Sequence, residues 1–303
     1  MSFRDILRKY TPSLLLKYYR NFKKNRTRKK IMTQREKGMV WKSNDLKRQL
    51  KAIGIDKGDT LLVHSSLSKM GFVENGPNTV IEALLETVGS QGHVLMPNSP
   101  NASFQLEYIQ ELNCFDVEKD KSRLGVITEV FRNHPEAKRS CHPTEPVSCI
   151  GPDQEYFVGH HFGEETPYTK NSPFFRVAES NGKILMIGVT LDNAGTNLHT
   201  LEDAIPNFKY PVYYPKRFEV DVKLPDGSRK SMKTRVHDPK WSKKRNCDDL
   251  IPLFKKYGAL EHVKIGSADT LLLDARKMFN VMIDLYNEYG VTMYDLGEYT
   301  EDL

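Results

Sequence analysis

The chain has 303 residues and a formal net charge of +6, and 39% of its residues are hydrophobic and 28% charged, as in globular proteins with an ordinary core and a solvated surface. Its four cysteines form no CxxC motif, so we exclude a disulfide framework and expect a cytoplasmic protein. No apolar run is long enough to cross a bilayer or to form the core of a signal peptide.

The positive charge is concentrated in the first part of the chain. Residues 1–30 hold eleven Lys or Arg against one Asp, whereas the rest of the chain carries 34 basic and 38 acidic residues. Apolar residues repeat at helical spacing on both sides of Pro12, which is expected to break the helix; they are Phe3, Ile6, Leu7, Tyr10, Leu14, Leu15, Tyr18 and Phe22. We therefore predict a basic amphipathic helical arm over residues 1–35 and a folded domain over residues 36–303.

Several partners suit such an arm. Its basic and aromatic residues could place it on an anionic membrane surface at the inner face of the membrane. It could also bind nucleic acid through its charge, or be a solvated or partner-docked extension. We expect peripheral membrane contact, do not expect a nucleic-acid partner, and leave oligomer formation open.

The domain begins with alternating helices and strands. Residues 43–54 form a predicted helix that ends at a glycine, and residues 59–63 form a buried strand. An amphipathic helix over residues 79–88 then leads to a second strand over residues 93–97. This strand–helix–strand order predicts a sheet covered by helices.

The later elements complete this pattern. Residues 124–131 form a predicted helix, and residues 183–187 form a short buried strand. Residues 217–236 alternate in polarity around Pro225-Asp-Gly227, which predicts a β-hairpin. The final long helix is predicted over residues 274–286.

A polar stretch follows the strand at residues 183–187 and contains the first candidate for catalysis. Thr196 or Asn197 could cap a helix that carries His199 and Glu202. On a helix these two residues share a face, so they can form a hydrogen bond, and a histidine oriented by a carboxylate is a common general base. The alternative is a capped helix whose histidine packs at a domain seam.

Other polar residues have both structural and functional interpretations. His64 ends a buried strand and could bond only to the backbone, and Ser65 and Ser66 could cap the next turn or contact a ligand. His142 precedes a proline, so a turn and a substrate contact are both open, whereas the loop containing His160 and His161 is expected at the surface. A zinc site built from His64, His142, His199 and His237 lacks any usual ligand spacing, so we expect no metal.

Five stretches in order together resemble the aminoglycoside 3-N-acetyltransferases, which use acetyl-CoA. The stretches that carry the resemblance are Leu62-Val-His-Ser-Ser-Leu67, Gly92-His-Val-Leu-Met-Pro-Asn-Ser99, Arg139-Ser-Cys-His-Pro143, the segment from Ser172-Pro173 to Leu198-His199 and Glu202, and Gly266-Ser-Ala-Asp-Thr-Leu-Leu-Leu-Asp-Ala-Arg276. The resemblance implies an α/β/α sandwich with a central mixed sheet, here with a β-hairpin insertion, and a CoA tunnel that opens beside an amino-sugar site. Residues 36–303 would be the catalytic domain.

The resemblance also assigns roles to particular residues. His199 would activate the acceptor amine, with Glu202 beside it, and the family's later acidic partner falls near Asp238. The loops His64-Ser65-Ser66-Leu67 and Pro97-Asn98-Ser99 would line the CoA end, and His142 and Glu165 are assigned to substrate binding. Two departures from the family pattern are Gly195, where members usually have Asn, and Pro146, which replaces a Ser.

These observations predict an acyl-CoA-dependent N-acyltransferase that transfers an acetyl group to an amino sugar, without a metal. Because the arm suggests membrane contact, we expect an acceptor from surface polysaccharide biosynthesis. One alternative is a soluble aminoglycoside 3-N-acetyltransferase that confers antibiotic resistance. Another is an inactive scaffold that binds CoA or a glycan, which would release no thiol from acetyl-CoA.

Overall fold

A seven-stranded mixed sheet lies at the centre of the computed structural model, which describes residues 13–101 and 103–300. In spatial order its strands are β4 (Lys138–Arg139), β5 (Val147–Ile150), β2 (His93–Pro97), β1 (Thr60–Ser65), β6 (Lys183–Ile187), β10 (Ala268–Asp274) and β9 (Leu260–Ile265). Strand β1 runs parallel to β2 and β6, and the other neighbouring pairs are antiparallel. The predicted mixed sheet is confirmed.

Helices cover both faces of this sheet. They are α1 (Ser13–Glu36), α2 (Ser43–Ala52), α3 (Pro77–Val88), α4 (Gln105–Glu111), α5 (Val126–Arg132), α6 (Gln154–Val158), α7 (Pro173–Glu179), α8 (Leu191–Ala194), α9 (Thr200–Ala204), α10 (Pro239–Ser242), α11 (Ile251–Lys256) and α12 (Ala275–Tyr289). Three 3₁₀ turns lie at Leu67–Lys69, Thr196–His199 and Cys247–Leu250. The helices predicted from residues 79 and 124 begin at Pro77 and Val126, because Gly76 and Gly125 occupy their N-cap positions.

Two buried clusters form the core, one on each face of the sheet. Successive strand residues point to opposite faces; accordingly Leu62, Leu95, Ile184 and Met186 join one cluster, and Leu61, Val63, Val94 and Leu185 join the other. The first cluster continues into α7 and α12, and the second into α2 and α3. This arrangement is the predicted α/β/α sandwich.

A smaller sheet is attached to the sandwich. Its strands are β3 (Cys114–Asp116), β7 (Phe218–Lys223) and β8 (Arg229–Thr234), in that order. The pair β7 and β8 is the predicted hairpin, with Gly227 in the turn at φ +82°. Residues from this sheet form two small hydrophobic clusters of their own with the neighbouring segments.

The arm is helical from Ser13, directly after Pro12, to Glu36. The first predicted amphipathic segment, which carries Phe3, Ile6, Leu7 and Tyr10, lies outside the described residues. Near the other end of the helix, the Arg35 guanidinium lies 5.2 Å from the centre of the Phe72 ring. In the part of the chain that the structure describes, no helix is both long and apolar enough to cross a membrane.

Candidate active site

The site lies where the parallel strands β1 and β6 end. Strand β1 continues two residues beyond the predicted end, since His64 pairs with Met186 and Ser65 with Ile187. After β6, Gly188 adopts φ +70°, and an added Cβ there would collide with the Lys69 side chain, so the turn requires glycine. The carboxyl ends of parallel strands are the usual ligand-binding edge of such sheets.

His199 and Glu202 form the predicted hydrogen bond, with 3.0 Å between His199 Nδ1 and Glu202 Oε2. The predicted helix is divided, because His199 ends a 3₁₀ turn and Glu202 lies in the short helix α9. The expected side-chain cap is absent in this segment. Instead, Asn197 donates to the Phe174 carbonyl at 3.0 Å, and Thr196 Oγ1 lies 3.3 Å from His64 Nε2.

Two more side chains bind the same carboxylate. His237 Nε2 lies 2.7 Å from Glu202 Oε2, and the Tyr294 hydroxyl donates to Glu202 Oε1 at 2.5 Å. Burial by itself raises the pKa of Glu202, but its electrostatic interactions and hydrogen bonds with the His199 and His237 rings outweigh burial and hold the pKa well below its ordinary value. Glu202 is therefore an ionised buried carboxylate with three donors around it.

The His199 imidazole is neutral in this setting. Burial and the positive charge of Arg245 lower its pKa to about 3, although the neighbouring Glu202 carboxylate acts in the opposite direction. Because a carboxylate only accepts, Nδ1 of His199 carries the proton and Nε2 keeps its lone pair. This is the tautomer that a general base requires.

A cavity of about 160 Å³ borders this cluster, and His199 and His237 both line it. Its wall also includes Arg245, whose Nε and Nη2 have no hydrogen-bond partner among the described residues. Glu145 lies on the same wall, where burial raises its pKa to about 7, and it accepts from Gln105 Nε2 at 2.9 Å. The cavity thus combines two neutral imidazoles with groups of both charges.

A family model described as aminoglycoside 3-N-acetyltransferase matches residues 62–287. The chain belongs to this family. Aminoglycoside N(3)-acetyltransferase VIII of Streptomyces fradiae is 30% identical over 187 residues, which cover 57% of this chain and 64% of that relative. Type IX of Micromonospora chalcea is 26% identical over 263 residues, covering 79% and 91%. The chain thus spans just under two thirds of the first of these relatives.

Solved structures of aminoglycoside acetyltransferases have the same fold. The structure described as AAC-IIIb binary with CoASH has a TM-score of 0.68 and 26% identity, and covers 81% of this chain and 96% of that one. AAC-VIa bound to sisomicin has a TM-score of 0.67 and 27% identity, with 82% and 98% covered. The sequence-based resemblance is therefore confirmed.

The first group of residues assigned to the CoA end lies at the end of β1 and in the turn after it. His64 is buried and contacts Thr196 of the cavity wall, and burial lowers its pKa to about 4. Ser65 Oγ is buried and has no hydrogen-bond partner among the residues that the structure describes, and Ser66 Oγ lies 3.3 Å from Ser68 Oγ. Leu67 packs against the core cluster that contains α2 and α3. This loop adjoins the His199 cavity through His64.

The segment Pro97-Asn98-Ser99 begins at the last residue of β2, and its polar side chains form internal hydrogen bonds. Asn98 Oδ1 accepts from Arg139 Nε at 2.7 Å, and Asn98 Nδ2 donates to Ser148 Oγ at 2.7 Å. Ser99 Oγ donates to the Thr144 carbonyl at 2.6 Å. Asn98 and Ser99 are buried, so their side chains hold this segment in place at the carboxyl end of β2.

His142 and Glu165 are not brought to the cavity that His199 lines. His142 is fully buried, with Nε2 3.3 Å from Thr234 Oγ1 of the small sheet, and its ring stacks on His161 at 4.8 Å. Glu165 accepts from Arg217 Nε at 2.5 Å in an exposed ion pair. The surface prediction for His161 is wrong, because Ser140 Oγ and the Pro167 carbonyl bond both of its ring nitrogens in the interior.

Asp238 is also separated from His199. Its Oδ1 accepts from the backbone N–H of Lys240 at 2.8 Å, so it caps α10. The preceding residue, His237, is the one that reaches Glu202. Adjacent residues of an extended segment point to opposite sides, so only one of this pair can face the cluster.

Three functional residues were missed because no local signal marks them. Tyr294 and Arg245 lie far along the chain from Glu202, and His237 was considered only as a zinc ligand. His199, Glu202 and His237 do form a group of possible metal ligands. In the structure their facing nitrogen and oxygen atoms are joined by hydrogen bonds. At Gly195 an added Cβ would lie 2.5 Å from the Leu191 carbonyl, so the family's Asn would not fit here.

Proposed function

We propose that this protein transfers an acetyl group from acetyl-CoA to a primary amine of an aminoglycoside-type amino sugar. The observation that carries the proposal is the His199–Glu202 pair at the wall of the cavity, with the lone pair of His199 Nε2 available. The named relatives support this acceptor class, and they replace the surface polysaccharide precursor that we expected from the arm. One relative's structure contains CoASH, which supports acetyl-CoA as the co-substrate.

The proposed reaction begins with proton transfer. His199 Nε2 takes a proton from the bound ammonium group, and the Glu202 carboxylate stabilises the imidazolium that forms. The amine nitrogen then bonds to the thioester carbon, and the tetrahedral oxyanion is stabilised by hydroxyl or loop N–H donors such as Thr196. When the C–S bond breaks, the thiolate leaves without much assistance because it is a good leaving group. The nitrogen gives its second proton to the thiolate, which forms the free thiol and the amide, and the proton held by His199 passes to solvent.

We place the CoA end at the loop after β1. Ser66 is partly exposed there. Gly125 lies beside the Ser65 carbonyl, and its neighbours in the chain, Leu124 and Val126, have exposed apolar side chains. These side chains offer an apolar surface for the pantetheine chain. Pro97, Asn98 and Ser99 would form the supporting wall behind it.

CoA is expected to raise the melting temperature of the wild-type protein, because a ligand that binds only the folded state stabilises it. Acetyl-CoA and sisomicin together should release free thiol. Ser66→Arg should abolish both effects, because the long side chain would fill the CoA end. Calorimetry and a thiol assay provide the measurements.

Ser90→Arg is the matched control, because Ser90 is exposed and lies just before β2, at the amino end of the strand and away from the carboxyl ends where the site lies. It should bind CoA like the wild type. Thermal stabilisation by CoA without thiol release from any amino-sugar acceptor would favour the inactive scaffold. A wild-type protein that CoA does not stabilise would contradict the proposed function.

We further propose that α1 contacts anionic membrane surfaces. Tyr18 and Phe22 are 73% and 57% exposed. The basic residues Arg26, Arg28, Lys29 and Lys30 are also exposed on the same helix. Basic side chains near an anionic surface contribute on the order of 1 kcal/mol each, so charge would dominate the binding.

The full chain is expected to sediment with phosphatidylglycerol vesicles at low salt and to be released at high salt. Changing Arg26, Arg28, Lys29 and Lys30 to Gln should remove most of this binding. The control changes four exposed basic residues elsewhere, Arg229, Lys230, Lys233 and Lys255, to Gln. Equal losses in both variants, or no sedimentation of the wild type, would show that α1 is not a membrane-binding element.

A further inference from the structure

Glu202 fixes the tautomer of a second imidazole besides His199. His237 Nε2 lies 2.7 Å from the same carboxylate oxygen that His199 Nδ1 contacts at 3.0 Å. Since an ionised carboxylate only accepts, His237 carries its proton on Nε2. Its Nδ1 therefore keeps a lone pair, just as His199 Nε2 does.

The His237 ring is held rigidly beside the cavity. Tyr213 stacks on it with a ring distance of 4.9 Å and an interplanar angle of 20°. The backbone N–H of His237 donates to Gln105 Oε1 at 3.2 Å, and the side chain of Gln105 also bonds Glu145. The rings of His199 and His237 are 4.3 Å apart, and both residues line the same cavity.

A buried primary ammonium group needs more than one acceptor. It has three N–H donors, and leaving any of them unpaired away from water costs free energy. His199 Nε2 alone would satisfy one donor. A second imidazole acceptor on the same wall would satisfy another and would also fix the direction of the nitrogen atom.

We propose that His237 is a second amine-contacting residue, whose Nδ1 accepts a hydrogen bond from the acceptor amine while His199 Nε2 removes the proton. This inference rests on the proposed acetyl transfer. His199 ends the 3₁₀ turn whose first residue, Thr196, contacts His64 of the CoA-end loop, whereas His237 is stacked on Tyr213. An amine that contacts both His199 Nε2 and His237 Nδ1 is thus fixed by His237 as it loses its proton to His199.

The competing explanation is that His237 only holds Glu202 in place. Two conservative variants separate these roles. In His237→Gln, the amide N–H can replace Nε2–H on Glu202, but no acceptor remains at the Nδ1 position. In His237→Asn, the side-chain oxygen can replace the Nδ1 acceptor, but the shorter side chain no longer reaches Glu202.

If His237 contacts the amine, His237→Gln should raise KM for sisomicin about tenfold to a hundredfold, the usual effect of losing a hydrogen bond to a charged group. His237→Asn should retain more of the wild-type KM and lose mainly kcat. The pH profile of His237→Gln should keep the wild-type shape, since Glu202, His199 and Arg245 are unchanged. Wild-type KM and kcat in His237→Gln, with loss only in His237→Asn, would show that His237 merely positions Glu202.

Ring ¹⁵N NMR tests the same proposal without turnover. The free protein should show His237 protonated on Nε2 and not on Nδ1, and sisomicin should shift the Nδ1 resonance. A protonated Nδ1, or no shift at saturating sisomicin, would overturn the proposal. Failure of the proposed function is distinguishable, because it appears as absence of thiol release by the wild type with acetyl-CoA and sisomicin.

Discussion

Replacing His199 by alanine is expected to lower kcat for acetyl transfer by ~10²–10⁴-fold, the usual contribution of a positioned general base. His199 Nδ1 is fixed by Glu202 at 3.0 Å, so Nε2 is the atom available to the amine. The fold should survive, because His237 and Tyr294 still donate to the Glu202 carboxylate. The rise in melting temperature with CoA should also survive, since the loop after β1 is unchanged.

The measurement is steady-state thiol release with acetyl-CoA and sisomicin, together with the CoA-induced thermal shift. His160→Ala is the matched control, because His160 is exposed while its neighbour His161 is buried. The control should retain wild-type kcat. Undiminished kcat in His199→Ala would make His199 a structural residue, and unfolding of that variant would be detected by the loss of the CoA shift.

The protein is expected to lose several kcal/mol of stability between pH 7 and pH 5. Burial lowers the pKa of His64 to about 4 and those of His161 and His199 to about 3. The pKa values of His142 and His237 are also lowered by burial. Below pH 6.5 the unfolded chain binds protons at these positions while the folded protein does not, so acid favours unfolding.

His64, His161 and His199 each cost about 2 kcal/mol at pH 5, from an unfolded pKa of about 6.5. His142 and His237 act in the same direction. Two acids act in the opposite direction: burial raises the pKa of Glu145 to about 7 and that of Asp203 to about 6. They bind protons in the folded state as the pH falls and offset part of the loss. Since typical domains are stable by only about 5–15 kcal/mol, acid unfolding is expected near pH 5 to 4.

Urea unfolding at pH 7, 6 and 5 measures this effect. His161→Gln should make the pH dependence shallower by about one proton, or about 1.4 kcal/mol per pH unit. The exposed His262→Gln variant leaves the buried histidines in place and should keep the wild-type slope. A free energy of unfolding that is flat from pH 7 to pH 5 would contradict the prediction.

Local sequence patterns were sufficient to predict most helices and strands of the fold and the first pair of site residues, His199 and Glu202. The apolar runs and turn signals predicted β2, β6 and the hairpin because strand periodicity and turn chemistry act within a few residues. His199 and Glu202 are three residues apart, so any helical turn brings their side chains together. The polar composition of its loop did not predict that His161 is buried. The burial is possible because Ser140 and the Pro167 carbonyl form hydrogen bonds with both ring nitrogens.

The residue pattern by itself determined a sheet covered by helices and the His199–Glu202 pair, since both depend on neighbours along the chain, and the family resemblance added the α/β/α sandwich. Tertiary structure alone decided which residues complete the cluster: His237 and Tyr294 lie 35 and 92 residues from Glu202. Tertiary structure also decided that His237, and not its neighbour Asp238, contacts Glu202. Adjacent residues of an extended segment point to opposite sides, so only one of the two can face the carboxylate. No local pattern carries that information, since it depends on where distant segments pack.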